Sequence, residues 1–537
     1  MQDSHYDVAI IGASMAGSCL ARQLKLKHPE YKIALIERKT KFDSWVGEST
    51  LETFWDYASN DLQLAYYLDC NHLYKHGLRF CFDSPEKDLK LSEMSELCRK
   101  WFHFIPAHQL NREKFDNDLC RMNQEIGVDV KLGCVVQDIL IDKDNGHQIA
   151  TTDGTIQCRY LVDASGFASP LGKKLDLIVS MDERHPVISH WGRFKNINLI
   201  DLQGDEEWRG RTNFTSRALA TNHFMYKGYW IWLIPIDEET FSIGVTVRSD
   251  LSSVELKNKE EFIEFLQQHA CMRELLGDKF ELMDYRSMKK LSRQSKQSFS
   301  TDRWFMTGMS SAFLEPMLSP GSAYLTDANR MIGEMIEADM QGDMQGFEGR
   351  VKAYNAYLKL WYEGFFLHIA GNYHGSYEVT RTHLEALLMH WYGLILPTSY
   401  ARNFGYCPTM SHLSQEDMNK KAQMMIDESA IQQINRLRGE FLTLIEGQET
   451  RKNKGEFFDI ELSKELMKHA KNRGKTLDEQ AIIKLDKDML NVVYRGFLRS
   501  LSDKEQLGVS DTKLQDVVNM AIKDKLSLSQ SFNYLIN

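Results

Sequence analysis

The start of the chain alternates between apolar runs and a segment with helical spacing. Residues 6–11 and 32–36 are short apolar runs, and between them apolar residues from 15 to about 27 recur every three or four positions. Runs of this length predict strands, and the intervening period predicts a helix. The first forty residues are therefore predicted to form a βαβ unit.

Downstream, the pattern changes twice. From about 70 to 330, strand-like runs alternate with turns, which predicts a sheet-bearing second domain inserted into the first. Beyond about 347 the chain becomes polar and helical in its spacing, with a capping-box-like start at Ser414 and a helix predicted to run to about 445. The clearest strand-like runs are 128–132, 160–162, 229–236 and 241–247.

These changes divide the chain into two predicted parts. The first is an α/β core over residues 1–365, whose substrate-side sheet takes up about 70–105 and 180–300. The second is a helical C-terminal domain over 366–537.

The composition is that of a globular protein. Of 537 residues, 43% are hydrophobic and 26% are charged, which excludes a disordered or fibrous chain. Lys plus Arg number 65 and Asp plus Glu number 75, a net charge of −10. Because the balance is acidic, we expect neither nucleic acid nor an anionic membrane as a partner. The sequence contains no apolar run of about 18 residues, so no membrane-spanning helix is predicted.

The nine cysteines are scattered, without a C-x-x-C pair or a His cluster at metal-ligand spacing. This pattern is typical of buried thiols in a reducing compartment, and it predicts neither a disulfide framework nor a metal site. The first strand follows a short polar segment without a signal-peptide pattern. We therefore expect a cytoplasmic protein.

A glycine-rich turn separates the first strand from the first helix. It reads Gly12-Ala-Ser14-Met-Ala16-Gly17, and Glu37 closes the second strand 25 residues after Gly12. In a dinucleotide site the first glycine makes the turn, the last lets helix and strand pack, the helix N-terminus faces a pyrophosphate, and the acid binds a ribose. Ser14 replaces the usual middle glycine. The alternative is a strand–helix turn without a ligand.

Two later loops have a similar character. Asp163-Ala-Ser-Gly166 ends an apolar strand, and Gly308 follows another. The loop 313–321 then leads into a helix predicted from about 322, whose N-terminus could hold an anion. Three such loops across 300 residues suggest FAD, because its two halves can be held by distant parts of one chain.

Two further motifs are more specific. Trp230-Ile-Trp232-Leu-Ile-Pro235 completes a W-x-W-x-I-P signature, and Gly47-Glu48-Ser49-Thr50 is a G-E-S/A-T segment. With them, the chain resembles the flavin-dependent halogenases, of tryptophan- and phenol-halogenase type, within the FAD-binding monooxygenase superfamily. The resemblance covers about residues 5–370. It implies a Rossmann-like FAD-binding core of the aromatic hydroxylase or glutathione-reductase-2 type, a sheet-bearing substrate domain and an all-helical C-terminal domain.

The resemblance also implies roles for individual residues. A halide is expected at Ser319, Pro320 and Gly321, and Trp230, Trp232 and Pro235 are expected to separate flavin from substrate. The residues expected to bind FAD are Gly12, Ser14, Ala16, Gly17, Glu37, Glu48, Ser49, Arg112, Asp163, Gly166, Gly308, Pro316 and Gly321.

The catalytic lysine of the family follows its G-E-S/A-T segment, with an aromatic residue before it and a basic residue four positions later. Leu73-Tyr-Lys75-His-Gly-Leu-Arg79 fits this pattern, so Lys75 is the expected catalytic residue. From the local pattern alone, a lysine in an alternating strand would be a solvated side chain.

Two positions depart from related enzymes. Met309 follows Gly308 where the hydroxylases carry Gly-Asp, which argues against a hydroxylase. Leu318 precedes Ser319 where tryptophan halogenases carry a glutamate. The substrate is therefore expected to be a phenolic or pyrrole-like aromatic, free or carrier-bound, rather than free tryptophan.

The reaction implied by the family uses reduced FAD, dioxygen and halide to form hypohalous acid, which then halogenates the aromatic substrate through the lysine. A separate flavin reductase would supply reduced FAD. Two alternatives remain open at this stage: an aromatic monooxygenase, and a non-catalytic flavoprotein whose helical domain mediates assembly.

Further residues are weaker candidates. His103 and His108 lie in an aromatic stretch and are candidate pocket residues, with core packing as the alternative. Residues 451–475 carry eight basic and four acidic side chains, which suits an acyl-carrier protein or an ordinary solvated face. A helical lid over the pocket is suggested by the aromatic residues Trp361, Phe365, Phe366, Tyr373, Trp391 and Tyr392.

Overall fold

A computed structural model describes most of the first 391 residues and two short segments of the C-terminal region. The described ranges are 4–100, 105–212, 214–373, 377–391, 455–460 and 510–524, with a few single residues beyond them. Among these residues no helix is long and apolar enough to cross a membrane.

Strands make up two large sheets and two small ones in this part of the chain. They are β1 (Ser4–Ile11), β2 (Ile33–Glu37), β3 (Leu73–Tyr74), β4 (Leu78–Phe82), β5 (Ser95–Cys98), β6 (His108–Gln109), β7 (Asp129–Leu132), β8 (Val136–Leu140), β9 (His147–Thr151), β10 (Gly154–Asp163), β11 (Ile178–Ser180), β12 (Val187–Lys195), β13 (Thr221–Tyr226), β14 (Tyr229–Pro235), β15 (Phe241–Arg248), β16 (Glu281–Lys289), β17 (Arg293–Ser295), β18 (Trp304–Met306) and β19 (Phe457–Asp459).

Helices connect the strands and follow the last strand of the core. They are α1 (Met15–Lys27), α2 (Glu52–Asn60), α3 (Ala65–Asn71), α4 (Arg112–Glu125), α5 (Pro170–Lys174), α6 (Glu206–Gly210), α7 (Lys259–Gln267), α8 (Ala270–Leu276), α9 (Pro320–Met340), α10 (Met344–Ala370), α11 (Tyr377–His390) and α12 (Asp511–Asp524).

The first sheet has the strand order β7-β2-β1-β10-β9-β8, with β18 also paired to β10. Strands β7, β2, β1, β10 and β18 are parallel, and β1-α1-β2 is the βαβ unit that the sequence predicts. In register, Ile11 lies beside Asp163 and Asp163 beside Met306. The loops that follow β1, β10 and β18 therefore leave the sheet at the same edge, where ligands bind in folds of this kind.

The second sheet has the order β16-β12-β15-β14-β13-β4-β5-β19. Strands β13, β14 and β15 are buried throughout, as expected for apolar strands covered on both faces. One apolar core runs from Val8 and Leu35 of the first sheet, past Ile332 of α9, to Trp230 and Trp232 of the second. Helix α9 and both sheets therefore contribute to one hydrophobic core.

Strand β19 comes from the region whose sequence pattern is helical and polar. It pairs in parallel with β5, and the Glu96 amide donates to the Glu456 carbonyl at 2.8 Å. The pattern does not reveal β19 because three residues are too short to show a period, and pairing at a free sheet edge stabilises them instead. The helix predicted from Ser414, and most of 451–475, lie outside the described residues. The domain boundary at 365 stays a prediction, and α10 runs across it.

Candidate functional site

The turn after β1 brings helix and strand into very close approach. Gly12 has φ +99°, and a Cβ on Gly17 would lie 1.9 Å from the Gly12 carbonyl oxygen. The Glu37 carboxylate accepts from the Ala13 amide at 3.0 Å. The N-terminus of α1 has no side-chain cap and no acidic residue in its first turn. Free amide donors in this position suit the anionic part of a dinucleotide.

Ser14 takes part in a polar cluster instead of capping α1. Its hydroxyl donates to Asp116 at 2.9 Å, and Arg112 donates to both Ser14 and Asp116. Arg112 also donates to the Val46 carbonyl at 2.8 Å. Arg112 is the first residue of α4, whose cap Asn111 accepts from the Lys114 amide. The cluster therefore ties the turn after β1 to the segment that precedes Glu48.

The loops after β10 and β18 are held together by a residue that the sequence analysis missed. Arg293 donates to the Gly166 carbonyl at 2.6 Å and to the Met309 carbonyl. The buried Asp163 carboxylate accepts from the Ser165 and Leu171 amides, both at 3.0 Å. No local pattern distinguishes Arg293, because its partners lie far away in the sequence.

Gly308 lies against the N-terminal half of α1. It has φ +59°, and a Cβ there would lie 2.8 Å from Ala16 Cβ. Asn329 of α9 donates to the Ala16 carbonyl at 3.0 Å and accepts from Thr307 at 2.7 Å. The first and third predicted flavin loops are thus in contact, and α9 fixes their separation.

The loop before α9 has an unusual backbone. Leu318 and Ser319 have φ values of +66° and +56°, a conformation that costs energy in residues other than glycine. Pro320 is the first residue of α9. Ser319 does not cap the helix, and the first turn of α9 contains no acidic residue. This N-terminus is therefore a second potential anion site.

The Gly47–Thr50 motif contacts that loop directly. The Ser319 hydroxyl donates to Ser49 at 3.0 Å, and Ser49 bonds Thr221 of β13 at 2.7 Å. The Gln109 amide nitrogen donates to Thr221 at 2.9 Å, whereas its buried oxygen has no hydrogen-bond partner among the residues that the structure describes. An unpaired buried acceptor beside two hydroxyls indicates that the site is built to receive a donor or a water molecule.

Glu48 is buried behind this loop. Burial raises the pKa of the Glu48 carboxyl to about 7, although the nearby Arg112 acts to lower it. The Glu48 carbonyl accepts from the Leu110 amide at 2.6 Å. Glu48 therefore changes protonation close to neutral pH, which is unusual for a carboxyl group.

Trp230 and Trp232 are buried side by side in β14, with ring centroids 5.6 Å apart. The Trp230 indole donates to Glu315 at 3.3 Å and to the Tyr373 hydroxyl at 2.9 Å. Pro235 ends the same strand. These contacts fix the orientation of the Trp230 ring.

Glu315 is the centre of a buried network that the sequence analysis missed. Its carboxylate bonds the His185 ring and accepts from Tyr373 at 2.7 Å. On its other nitrogen, His185 contacts Arg248 at 3.0 Å. Next to Glu315, Pro316 lies in the same loop, three residues before Ser319. The network links this loop, the second sheet and the end of α10. Tyr373 is one of the lid candidates named from the sequence, but no local pattern pairs Glu315 with His185, which is 130 residues away.

Lys75 lies between β3 and β4 rather than inside one alternating strand. Gly77, with φ +87°, interrupts the strand because this conformation breaks the extended run. The Lys75 side chain is 7% exposed, and its ammonium donates to the Thr50 carbonyl at 2.7 Å. Burial lowers the pKa of Lys75 to about 8, with Glu52 acting in the opposite direction. Lys75 is therefore a buried amine, not a solvated side chain.

Aromatic residues of α10 and the residue that follows α11 form a row that reaches Glu52 of α2. Trp361 and Phe365 stack with centroids 4.1 Å apart, and Trp391 contacts Phe365 and donates to Glu52 at 3.4 Å. Phe366 is not part of this row and contacts His185.

Residue His108 is buried and bonds Asp69. The other predicted pocket and lid residues, His103 and Tyr392, lie outside the described residues.

Known proteins that resemble this chain identify its family. A family model described as tryptophan halogenase matches residues 84–376. The flavin-dependent halogenase chlA of Dictyostelium discoideum is 27% identical over 457 residues, which are 78% of this chain and 74% of that protein. A chlorinase of 1H-pyrrole-2-carbonyl-peptidyl-carrier protein from Pseudomonas fluorescens is 24% identical over 388 residues, covering 68% of this chain and 83% of that protein.

The fold is similar to that of a solved halogenase. The crystal structure of PltM in complex with phloroglucinol and FAD aligns with a TM-score of 0.65 at 13% identity, covering 99% of this chain and 94% of that one. The predicted fold class, family, enzyme class and use of FAD and halide are confirmed at this level. The roles of individual site residues stay predictions. The chain belongs to the tryptophan halogenase family, the flavin-dependent halogenases.

Proposed function

We propose that the chain halogenates a phenolic or pyrrole-like aromatic compound, with the halide held at Ser319–Gly321 and the electrophilic halogen directed by Lys75. The observation that carries this proposal is the pair of contacts made by two neighbouring residues. Ser49 bonds the Ser319 hydroxyl, and the carbonyl of Thr50 accepts from the Lys75 ammonium. One short segment therefore touches both ends of the proposed route for hypohalous acid.

The residues present suit a flavin at the common edge of β1, β10 and β18. Reduced FAD, when bound, supplies with dioxygen the oxidising power that converts halide to hypohalous acid. The α1 N-terminus would face its pyrophosphate, Glu37 its ribose, and the loops at Asp163–Gly166 and Gly308 the rest of the cofactor. A separate flavin reductase is part of the proposal, because the reduced form must come from outside the chain.

The α9 N-terminus offers backbone N–H donors to a halide ion. Trp230 and Trp232 form an apolar wall that excludes an organic substrate from the flavin side. Such a wall favours halogenation over direct hydroxylation, because only a small oxidant can pass it. Met309, which follows Gly308 where the hydroxylases carry an aspartate, also argues for halogenation over hydroxylation.

Lys75 would act at the far end of the route. With a pKa of about 8, a fraction of the amine is neutral at neutral pH. The neutral amine can take the halogen from hypohalous acid, forming an N–halogen bond with loss of water, and the ammonium form can instead hydrogen-bond the acid. Burial excludes bulk water, which would otherwise hydrolyse the N–halogen bond back to the amine and hypohalous acid.

The substrate class rests on Leu318 and on the relatives. Leu318 is apolar and buried where a tryptophan halogenase would place a carboxylate. One relative acts on a pyrrole carried by a peptidyl-carrier protein, and PltM was solved with phloroglucinol. A phenol or a carrier-bound pyrrole is therefore the substrate to test first, and a carrier protein is the partner to test with it.

The test is incubation with reduced FAD, dioxygen and bromide or chloride, using panels of free phenols and carrier-bound pyrroles, with products identified by mass spectrometry. We expect products with the isotope pattern of the added halide. Reactions without halide, without protein, or with catalase control for peroxide that escapes. Hydroxylated products in the absence of halogenated ones would overturn the proposal in favour of a monooxygenase.

Replacing Gly17 by alanine should abolish tight FAD binding. The new Cβ would lie 1.9 Å from the Gly12 carbonyl, so the turn beneath the pyrophosphate must open. We expect FAD affinity to fall at least about tenfold, measured as flavin retained after gel filtration. Gly349→Ala is the matched control, since no atom lies within 4 Å of its added Cβ. Equal FAD retention in both variants would contradict the assignment.

A further inference from the structure

The buried network around Glu315 has a fixed order of hydrogen-bond donors and acceptors. A guanidinium group has no acceptor, so the contact of 3.0 Å between Arg248 and His185 Nδ1 makes that ring nitrogen an acceptor. The His185 ring therefore carries its proton on Nε2, which faces the Glu315 carboxylate and donates to it. The contacts thus assign the tautomer of His185.

Glu315 receives donors from two directions. His185 lies on one side, and both of these side chains are fully buried. On the other side the Tyr373 hydroxyl lies 2.7 and 2.8 Å from the two carboxylate oxygens, and the Trp230 indole donates to Oε1 at 3.3 Å. Only a carboxylate accepts on both sides, because an amide would present a donor to one of them. These contacts therefore require a glutamate at position 315.

The network also holds the Trp230 ring in one orientation. The indole N–H donates to the Tyr373 hydroxyl at 2.9 Å. The Tyr373 carbonyl accepts from the amide of Gly228 at 2.8 Å, in the turn between β13 and β14. Tyr373 is thus bonded to this hairpin through its side chain and its backbone. Rotation of the indole would leave a buried N–H without an acceptor, which is costly.

We propose that Glu315 is a positioning residue that acts through Tyr373 on Trp230, holding the indole in the apolar wall between the flavin side and the substrate side. The proposal rests on the proposed function, which gives Trp230 its place in that wall. It gives Glu315 and Tyr373 one shared role, which is to keep the wall closed.

The wall and the proposed halide loop are joined by the same contacts. Glu315 lies in the loop that leads to Ser319 and α9. Asn372, next to Tyr373, contacts the sulfur of Met317 in this loop at 3.7 Å. The loop is therefore fixed to the segment that orients Trp230 at two points. If these contacts were lost, the wall would open beside the loop and an organic substrate could reach the flavin side.

The first experiment measures the environment of the Trp230 indole directly. The full-length chain is labelled with ¹⁵N-tryptophan, and Trp230 is identified among the ten indole signals by its loss in Trp230→Phe. Tyr373→Phe removes the closer of the two acceptors, so the Trp230 signal should shift and its N–H should exchange with solvent several-fold faster. Glu315→Gln should change the same signal. The measurement requires neither FAD nor halide, so its result is independent of whether the chain halogenates.

Tyr226→Phe is the matched control. The Tyr226 hydroxyl is also buried in the second sheet and donates to Asp83 at 2.8 Å, but the residue packs in the core on the opposite face from Trp230. Its loss should leave the Trp230 signal in place. An unchanged Trp230 signal in both Tyr373→Phe and Glu315→Gln, with native circular dichroism, would overturn the proposal.

The second experiment measures the ratio of hydroxylated to halogenated product. Tyr373→Phe should raise this ratio several-fold while flavin reoxidation continues. Trp230→Phe already lacks the indole N–H, so adding Tyr373→Phe to it should change the ratio no further, because residues that act through one another are not additive. Additive effects of the two substitutions would show that Tyr373 does not act through Trp230, and would likewise overturn the proposal.

Discussion

Replacing Lys75 by methionine abolishes halogenation of the organic substrate while flavin oxidation and hypohalous acid formation continue at the wild-type rate. This is the expected result if halide oxidation and halogen transfer occur at separate places. The Lys75 ammonium contacts the Thr50 carbonyl, whereas the halide loop contacts this segment through Ser49. Methionine has similar length and fits an apolar surrounding, so the loss reports the missing amine rather than a cavity.

The measurement has three readouts on the same sample. Flavin reoxidation is followed by absorbance, free hypohalous acid is trapped by an added small-molecule scavenger, and the aromatic product is quantified by mass spectrometry. We expect a loss of aromatic product of at least about a thousandfold, in the range seen when a covalent catalytic group is removed. Lys27→Met, at an exposed site on α1, is the control. Undiminished product formation by Lys75→Met would exclude the lysine from the reaction.

The features of this site that could be predicted from sequence are those that depend on residues close together in the chain. The βαβ unit, the turn at Gly12 and the strand containing Trp230 and Trp232 follow from spacing within a dozen residues. Most ends of these helices and strands lie within a residue or two of the positions predicted from the sequence. For example, α9 begins at Pro320 rather than near 322, because proline is favoured in the first turn of a helix.

The parts that could not be predicted depend on contacts between distant residues. Arg293 bonds carbonyls of Gly166 and Met309, and His185 bonds Glu315, 130 residues away. Lys75 was expected in a strand, but its burial and its contact with Thr50 arise only once β3 and β6 pair. A single sequence contains no signal for such pairs, since their residue types are also common on surfaces.

Glu52 illustrates the same limit close to a recognised motif. Glu52 lies two residues after the Gly47–Thr50 motif, at a position where an acid is typical of the first turn of a helix. Its burial depends on Trp391, which is 339 residues away. The burial of Glu52 is therefore visible only in the folded chain.

Replacing Glu96 by alanine should be the most destabilising single change near the site. Glu96 lies in β5 and is 2% exposed, and it accepts from Arg79 at 2.5 Å and from Arg217 at 2.8 and 3.0 Å. Both arginines are themselves buried. Alanine would leave two buried guanidinium groups without a counter-ion. Breaking a buried pair in this way costs about 3–5 kcal/mol.

The destabilisation caused by Glu96→Ala should extend to the edge of the second sheet. Arg79 belongs to β4, which follows Lys75, and the Glu96 amide holds β19 through the Glu456 carbonyl. Thermal unfolding followed by circular dichroism should show a large fall in the unfolding midpoint. Glu93→Ala, at an exposed position three residues earlier, should change stability by less than about 1 kcal/mol. Similar midpoints for the two variants would show that the arginines find other partners.

The same carboxylate predicts a pH dependence of stability. Burial acts to raise the pKa of Glu96, but Arg79 and Arg217 outweigh it and hold that pKa below its usual range. A folded-state pKa below the unfolded one means that Glu96 stabilises the fold above the unfolded pKa, and that this contribution is lost as the pH falls below about 4. Wild type should therefore lose stability on acidification through this range more steeply than Glu96→Ala, so the two unfolding midpoints should converge at low pH. Parallel curves would mean that the pKa of Glu96 is the same in the folded and the unfolded chain, which would contradict its stabilisation by the two arginines.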